Sequence, residues 1–404
     1  MSEEDLSQST DGVALVEAEV RQTLDQWRRE DCVYWDRERE AWVVTGYAEV
    51  ARILEDSKNF WRDIPLRDGA TEFWGRHLLN LEGRDHHRLH ALHMKLTGED
   101  FAEATRESAA RIAINVSAQL VDKGQCELAS EYADAVPFLI GCEFLGLDIR
   151  DRAMTDQLLA EMRTRATWKE ALHAGFGIPL SSQIAQDGRV ALERMASVLL
   201  PTIRARRDSP EDDLISAFWR EGTRVFPDWD ENDMVSSCWS NLDNETKPLL
   251  RGLLYILCRD QGLQSQLRQA SDLVPGFVEE GLRYLTPFRT IRRVAKADVM
   301  LGDKQVRVGD SLYLITPLAN QDESKWACPH SFKPERNEEV THFAFGLGAG
   351  YCVGRYLGRM EAAEAVRGIL AASSRFELDP AATERPRWSG EMYHSVFPLY
   401  AIIK

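Results

Sequence analysis

Cys352 stands in the sequence context that offers the most specific chemistry in this chain. Residues 342–354 read HFAFGLGAGYCVG and contain the pattern F-G-x-G-x-x-x-C-x-G. Glycines at this density allow tight turns and the close approach of a flat partner. A helix is predicted directly after the cysteine, so amide N–H groups at its start would stabilise a thiolate and lower the pKa of Cys352. Such a thiolate is a strong axial ligand for haem iron, whereas the alternative is an ordinary buried cysteine beside a glycine-rich turn.

A second pattern lies upstream, in the segment VEEGLRYLTP, where Glu280 and Arg283 form a Glu-x-x-Arg pair. Their i, i+3 spacing places them on one face of a predicted helix. Together with the cysteine pattern, the pair resembles the cytochrome P450 family of haem-thiolate monooxygenases. The resemblance implies that Arg336, in SFKPER, joins Glu280 and Arg283 in a structural role and locks the coil that presents Cys352. Taken alone, the pair would be an ordinary surface ion pair.

The resemblance implies a cofactor, haem b (iron protoporphyrin IX), with Cys352 as its metal ligand. Phe345, Gly346 and Gly354 of the cysteine pattern are then expected to contact the haem. Arg293, in RVAKADV, matches a family arginine that binds a haem propionate. Gly350 stands where the family usually has His or Arg in a further propionate contact, and that contact is expected to be missing.

The segment RDHHRLHALH places His86, His90 and His93 at i, i+4 and i+7, on one helix face. By resemblance, His86 occupies the position of a propionate-binding His, and His90 replaces the family's Arg. We therefore predict that His86 and His90 bind the haem propionates. A solvated or packed helix face and a separate transition-metal site are the alternatives.

The longest predicted helix runs from about 229 to 262 and contains Glu245 and Thr246. These two resemble the family's acid–alcohol pair, which lies over the haem and delivers protons for cleavage of the O–O bond, so both are predicted to be catalytic. Just before the pair the family usually has small residues, and this chain has Leu-Asp. Asp243 is therefore a further candidate proton donor, and Pro248 is expected to kink the helix.

Three segments line the substrate pocket in the family, and here they span 61–80, 285–290 and 391–397. Their aromatic and arginine side chains would suit an aromatic carboxylate, an amino acid or a carrier-bound acyl group, although solvated loop arginines are the alternative. The residues predicted to bind substrate are Arg62, Trp74, Phe288, Arg289, Tyr393, His394 and Phe397.

The elements that must position these residues are mainly helical. Helical periodicity dominates from 84 to about 265 and returns at 353–373, whereas short β-like runs fall near 33–45, 291–316 and 375–403. The predicted fold class is therefore mainly α with a small β-rich portion. The resemblance implies the cytochrome P450 fold, a triangular helical prism with a long central helix over the haem. Residues 1–12 are predicted to be a loose N-terminal leader and residues 13–404 a single domain.

Composition limits the remaining classes of function. The 404 residues carry a formal net charge of −16, which argues against a nucleic-acid partner. No stretch is apolar enough to span a bilayer, the N-terminus lacks a secretory pattern, and the seven widely spaced cysteines predict no disulfide framework. We therefore expect a cytoplasmic monomer without a membrane partner.

The resulting prediction is a P450 monooxygenase that activates dioxygen and oxidises a small or carrier-bound organic substrate, such as an aromatic acid or amino acid in a biosynthetic pathway of secondary metabolism. Electrons are expected from a ferredoxin or flavodoxin with its reductase, docked at a basic patch that includes Arg355 and Arg359. The alternatives are a peroxide-driven enzyme, atypical chemistry such as nitration or C–C coupling, a non-catalytic haem protein that binds a diatomic gas, and a carrier-protein binding module without chemistry.

Overall fold

Helices form most of the protein. The computed structural model describes residues 12–62, 76–173, 182–242, 245–336, 340–390 and 394–404. In this part of the chain the α-helices are, in order, α1 Gly12–Leu24, α2 Tyr47–Glu55, α3 Gly83–Thr97, α4 Glu99–Lys123, α5 Ala135–Phe144, α6 Arg152–His173, α7 Gln183–Asp208, α8 Leu214–Val225, α9 Glu231–Leu242, α10 Thr246–Arg259, α11 Gln261–Gln269, α12 Val274–Leu285, α13 Thr316–Ala319 and α14 Arg355–Ala372.

The β-strands are short and form small sheets. In order, they are β1 Val33–Asp36, β2 Ala41–Val44, β3 Phe60–Trp61, β4 Gln125–Glu127, β5 Thr290–Ala295, β6 Val299–Leu301, β7 Lys304–Val306, β8 Ser311–Ile315, β9 Phe376–Leu378, β10 Arg387–Ser389, β11 Ser395–Phe397 and β12 Tyr400–Ile403. A five-stranded sheet has the order β1-β2-β8-β5-β3, in which β2 and β8 are parallel and the other neighbours antiparallel. A second sheet has the order β4-β12-β9, and β6 with β7 and β10 with β11 form antiparallel pairs.

One edge of the five-stranded sheet matters for the site. Strand β3 pairs with β5 so that Trp61 lies opposite Val294. In an antiparallel pair the next residue of one strand faces the preceding residue of the other. The register therefore brings Arg62, directly after β3, beside Arg293 of β5.

The core is built around helices that are buried on more than one face. Helix α10 buries a continuous apolar surface that includes Leu249, Leu250 and Leu253. Helix α14 packs along α4 so closely that a Cβ at Gly368 would lie 2.7 Å from the Cβ of Ala113. The helix that follows Cys352 is therefore held firmly against the core.

The predicted single helix over 229–262 is wrong, because α9 ends at Leu242 and α10 begins at Thr246. Pro248 is the third residue of α10. A proline has no N–H to donate and clashes with a helical carbonyl four residues earlier, so a continuous helix is disfavoured there. In the first turn of a new helix the missing donor costs little. The predicted kink is thus a break, and it leaves Thr246 at a helix start.

Most other predicted elements are confirmed. The strands at 33–36 and 41–44, helix α12 and helix α14 match their predicted positions closely, and the fold class is mainly α with a small β portion, as expected. The predicted leader over 1–12 lies outside the described residues, except for Gly12, which begins α1. Within the described ranges, no helix is long and apolar enough to cross a membrane.

Candidate active site

Cys352 is presented by the glycine-rich turn that precedes α14. Gly346 and Gly348 have φ angles of +70° and +66°, a conformation that glycine adopts without a steric penalty. At Gly348 space is a second reason, because a Cβ there would lie 2.6 Å from the backbone oxygen of Leu54. The turn closes where the Cys352 N–H donates to the Phe345 carbonyl oxygen at 3.0 Å. The spacing of the glycines therefore determines where the cysteine points.

An internal cavity of about 330 Å³ lies against this turn. The Cys352 side chain is exposed to the cavity rather than packed in the core. Phe345, Gly346 and Gly354, which were predicted to contact the cofactor, line the same cavity. Cys352 is therefore not the ordinary core cysteine that the sequence left as the alternative.

The surroundings of Cys352 do not produce the predicted lowering of its pKa. Burial raises the pKa of the thiol to about 11, and the Glu245 carboxylate adds to the rise. The backbone of Gly354 and the guanidinium groups of Arg355 and Arg359 lower the pKa, but burial outweighs them. One reason is that α14 begins only at Arg355, so the sulfur lies beyond the first turn of the helix. Coordination to a metal ion deprotonates a thiol outright, so the raised value does not oppose a ligand role.

Glu280, Arg283 and Arg336, the three residues predicted to be structural, meet in a buried set of contacts that we call the Glu280 network. Arg283 donates to both carboxylate oxygens of Glu280 at 2.8 and 2.7 Å, and Arg336 donates to the same carboxylate at 3.0 Å. Arg283 also donates to the backbone oxygens of Asn320 and Pro329 at 2.9 and 3.0 Å. The network therefore ties α12 to the coil that leads to Cys352.

The same cavity is also lined by nitrogen atoms that lack partners. His86 is fully buried, and neither of its ring nitrogens has a hydrogen-bond partner in the described part of the chain; the same holds for Nη1 of Arg62. Burial, helped by Arg62, lowers the pKa of His86 to about 3. Buried polar atoms are seldom left unpaired. These residues, with Arg293 on the same wall, therefore fit a group that brings carboxylates, as the propionate edge of a haem does.

The other histidines of this helix have different roles from His86. His90 bonds the backbone oxygen of Tyr351 at 2.9 Å, next to the cysteine. His93 packs against Phe218 with ring centroids 5.1 Å apart, and burial lowers its pKa to about 4. No group of three His, Cys, Asp or Glu side chains among the described residues could hold a metal ion. The alternative of a separate metal site here is not supported.

Glu245 and Thr246 both line the cavity, but their side chains have different partners. Glu245 accepts a hydrogen bond from Nζ of Lys169, in α6, at 2.9 Å. Thr246 Oγ1 donates instead to Oε2 of Glu361, in α14, at 3.0 Å. The third predicted catalytic residue, Asp243, lies outside the described residues.

Glu361 is a functional candidate that the sequence analysis missed. It is buried, it lines the cavity, and burial raises the pKa of its carboxyl to about 8 although Thr246 and Lys247 lower it. A signal was present in the sequence. Leu357 and Glu361 are spaced i, i+4 on α14, so they share the face of the helix that borders the cavity.

The predicted substrate residues separate into two groups. Phe288 lines the cavity, and Arg62 does so at the end where His86 lies. Arg289 is instead buried against backbone, donating to the oxygens of Thr23 and, at 2.9 Å, of Gly390. Trp74 and Tyr393 lie outside the described residues.

His394 and Phe397 also do not line the cavity in this structure. His394 is fully buried between the Leu285 backbone oxygen and the Thr23 hydroxyl, both at 3.0 Å. Phe397 is 49% exposed on β11, with the Arg251 guanidinium over its ring. In this structure backbone groups or solvent take up these side chains, as they do for Arg289, so no contact seen here supports their predicted substrate role.

The part of the cavity that faces α9 and α6 has a polar wall that the sequence did not predict. His77, Trp239, Ser240 and Lys169 line it. The His77 ring stacks on the indole of Trp239 at 4.5 Å and bonds the Ser240 hydroxyl at 3.0 Å. Burial lowers the pKa of His77 well below its ordinary value, so the ring is neutral. A substrate would therefore meet a flat aromatic surface with polar groups at its edge.

The predicted basic patch after the cysteine is weaker than its sequence indicates. Arg359 forms two hydrogen bonds with the carboxylate of Glu279, at 2.7 and 2.8 Å. Arg355 donates to the Cys352 backbone oxygen at 2.9 Å, and its guanidinium lies over the rings of Tyr351 and Tyr356. Arg355 therefore remains the stronger cationic group of the two.

A mainly helical chain that presents a cysteine to a cavity through a glycine turn, with unpartnered histidine and arginine nitrogens lining the same cavity, has the architecture of a haem-thiolate protein. Comparison with known proteins agrees. The family model for cytochrome P450 matches residues 253–394. Cytochrome P450 109 of Bacillus spizizenii is 28% identical over 369 residues, which cover 87% of this chain and 84% of that protein.

Two further matches are a named epoxidase and a solved complex with a carrier protein. The cyclomarin C epoxidase CymV of Salinispora arenicola is 26% identical over 374 residues, 88% of this chain and 90% of that protein. The solved structure of P450BioI with acyl carrier protein ligated to hexadec-9Z-enoic acid has a TM-score of 0.82 at 22% identity, and covers 96% of this chain and 100% of that one. The chain is similar to cytochrome P450 proteins over most of its length, and these findings support an oxidoreductase of the monooxygenase class.

Proposed function

We propose that this P450 binds haem b with Cys352 as the axial ligand and oxidises a small or carrier-bound organic substrate. One observation carries the proposal: a single cavity joins the Cys352 side chain to the buried, unpartnered nitrogens of His86 and Arg62. A flat group with a metal centre would bind the Cys352 sulfur, and its acidic edge substituents would bind the nitrogens of His86 and Arg62. When bound, haem supplies the activation of dioxygen.

The residues divide the task of holding the cofactor. Phe345, Gly346 and Gly354 surround the sulfur side, and His86 and Arg293 bind the propionates. His90 lines the same cavity, and its bond to the Tyr351 backbone oxygen supports a role for it as a positioning residue for the cysteine turn.

Thr246 and Glu361 form the proton-delivery pair in this proposal. A carboxyl with a pKa near 8 holds a proton at neutral pH. Thr246 links this group to the cavity, because its hydroxyl bonds Glu361 at 3.0 Å and borders the cavity itself. A proton can therefore reach the cavity through one hydroxyl, without a charged side chain having to move.

Glu245 is a second acid whose supply of protons depends on Lys169. The Lys169 ammonium donates to the Glu245 carboxylate at 2.9 Å and holds this side chain in place. Glu245 thus acts as a relay only after this contact opens. Asp243 keeps its proposed role as a further donor on the basis of its sequence position.

Electrons come from a ferredoxin or flavodoxin with its reductase, and Arg355 is the proposed centre of the docking surface. The contact of Arg355 with the Cys352 backbone oxygen supports this, because it places a cation close to the ligand turn. Arg359 contributes less, since Glu279 neutralises it.

For the substrate, the polar wall favours a ligand with an aromatic or otherwise flat portion. The stacked His77 and Trp239 rings and the nearby Phe288 support this class. The acidic group first proposed for the substrate loses support from Arg289, which backbone oxygens occupy. A carrier-bound form is supported by the likeness to P450BioI, whose structure contains an acyl carrier protein.

The first test is the reduced carbon-monoxide difference spectrum of the purified protein and of Cys352→Ser. A strongly red-shifted Soret band is expected in the wild type and should be lost in the variant, because only a thiolate ligand gives that shift. Cys32→Ser is the matched control, since Cys32 is exposed and does not line the cavity. A wild-type haem band without the shift, or no haem, contradicts the proposal.

A second test separates oxygen from peroxide as the oxidant. The loaded enzyme is given L-tyrosine, L-tryptophan and their neutral analogues, first with NAD(P)H, ferredoxin and reductase, then with hydrogen peroxide alone. Product that requires the electron-transfer proteins supports the proposed reaction. Product with peroxide alone would replace it with the peroxide-driven alternative, and equal binding of acids and neutral analogues would exclude an acid-specific site.

A further inference from the structure

Gly350 lies two residues before the cysteine, and its backbone does not require glycine. Its φ angle is not in the left-handed region, unlike those of Gly346 and Gly348. Glycine is needed at position 350 because a larger residue would collide with neighbouring atoms. A Cβ at Gly350 would lie 2.8 Å from Nη2 of Arg62 and 3.6 Å from Nη2 of Arg293. The guanidinium of Arg62 therefore occupies the volume that a side chain at 350 would need.

The sheet explains why Arg62 is found there. The β3–β5 register puts Arg62 beside Arg293 at the edge of the five-stranded sheet. The guanidinium also lies over the Trp61 ring, 4.9 Å from its centroid, and the Trp61 ring in turn contacts His86 edge-on at 5.3 Å. The side chain is thus held in one orientation, towards Gly350 and the cavity.

The charge of Arg62 has no counterpart in the described part of the chain. No carboxylate there forms an ion pair with it, and Nη1 is buried without a hydrogen-bond partner. Burial lowers the pKa of Arg62 to about 10, which leaves the group charged at neutral pH. An anion is the natural partner for a buried guanidinium, and a carboxylate matches its planar shape.

We infer that Arg62 is a haem-propionate ligand that takes the place of the side chain absent at Gly350. The inference rests on the proposed haem function and changes two expectations from the sequence. The propionate contact is not missing but comes from another element, and Arg62 binds cofactor rather than substrate.

The test is a double-mutant cycle on haem retention, with haem-loaded protein and excess apomyoglobin as the acceptor. Arg62→Ala should release haem about 10-fold faster or more, as expected when a hydrogen bond between charged groups is lost. Gly350→His alone should also accelerate release, because its Cβ displaces the guanidinium. The combination of Arg62→Ala with Gly350→His should release haem more slowly than Arg62→Ala.

Arg39→Ala is the matched control, because the Arg39 guanidinium also lies over a tryptophan ring, that of Trp27, but outside the cavity. Arg62→Gln, which keeps a shorter polar side chain and removes the charge, covers the case in which Arg62→Ala folds poorly. Circular dichroism of each haem-free variant checks the fold.

Three results would overturn the inference. In the first, Arg62→Ala releases haem at the same rate as Arg39→Ala. In the second, the double variant releases haem no more slowly than Arg62→Ala. In the third, Arg62→Ala keeps the wild-type rate of haem release but loses the substrate-induced Soret shift, which would return Arg62 to substrate binding. If the wild type binds no haem, the proposed function itself fails, and the two failures are thus distinguishable.

Discussion

Two carboxylates near the cavity are bound by cationic side chains, and they differ in what surrounds them. The Glu280 side chain is 1% exposed and bonds Arg283, Arg336 and the Lys333 N–H. The Glu245 side chain is 42% exposed and bonds Lys169 across the cavity. A buried network with its donors satisfied cannot rearrange without leaving a charge unpaired, whereas a half-exposed carboxylate can exchange its partner for water. The Glu280 network suits permanent support, and the Lys169–Glu245 pair suits a contact that opens.

The largest effect is therefore expected at the Glu280 network. Arg283→Ala leaves the Glu280 carboxylate buried with only part of its partners and frees the backbone oxygens of Asn320 and Pro329. We expect a loss of about 3–5 kcal/mol in the free energy of unfolding. Urea denaturation followed by tryptophan fluorescence measures it, and haem content should fall in parallel because the coil before Cys352 loses its anchor.

Arg39→Ala serves again as the comparison, since Arg39 forms an i, i+3 ion pair with the partly exposed Asp36. Its loss should cost about 1 kcal/mol or less. If Arg283→Ala were no more destabilising than Arg39→Ala, the Glu280 network would not support the fold.

The same contrast explains what could be predicted from the sequence. The cysteine turn and the Glu280 network rest on short motifs in which glycine spacing and helix periodicity carry the information. The partners of Glu245 and Thr246 could not be predicted in this way. Lys169 and Glu361 come from helices far along the chain, and only tertiary packing brings them to the cavity.

Some predicted substrate residues lie away from the cavity for a related physical reason. Arg289 and His394 are polar residues in segments that line the pocket in the family, yet here they satisfy backbone oxygens. A sequence does not indicate which carbonyl oxygens a fold leaves without partners. In the case of Arg62, the strand register that aims it at Gly350 is likewise a property of the assembled sheet.

A smaller effect on stability, but a clear one on pH dependence, is expected for Glu361→Gln. The pKa of Glu361 is about 8 in the folded protein, above its ordinary value of 4.5. Between these pH values Glu361 keeps a proton in the folded state and releases it in the unfolded state. The contribution of Glu361 to the free energy of unfolding therefore falls as pH rises from about 5 to about 8. Glutamine does not titrate, so the free energy of unfolding of the wild type should fall relative to that of Glu361→Gln over this range.

Turnover gives the second readout for Glu361. The amide keeps a hydrogen-bonding group beside Thr246 but holds no transferable proton, so product formed per NAD(P)H should fall. Glu364→Gln is the matched control on the same helix, because Arg106 and Arg367 bind the carboxylate of Glu364 and it does not line the cavity. Full coupling in Glu361→Gln, or the same loss in Glu364→Gln, would remove Glu361 from proton delivery.

The smallest effect on stability is expected for Lys169→Met, which keeps most of the buried stem and removes the ammonium group. Because Glu245 is half-exposed, water can replace the lost partner, and the free energy of unfolding should change by about 1 kcal/mol or less. A double-mutant cycle with Glu245→Gln measures the coupling between the two side chains directly. Lys95→Met is a control outside the cavity, since Lys95 pairs with Glu221, although the Lys95 side chain is 62% exposed and Glu221 also pairs with Arg220 and Arg224. A coupling as large as the loss in Arg283→Ala would mean that both carboxylates are permanent supports, and that Glu245 is not free to act as a relay.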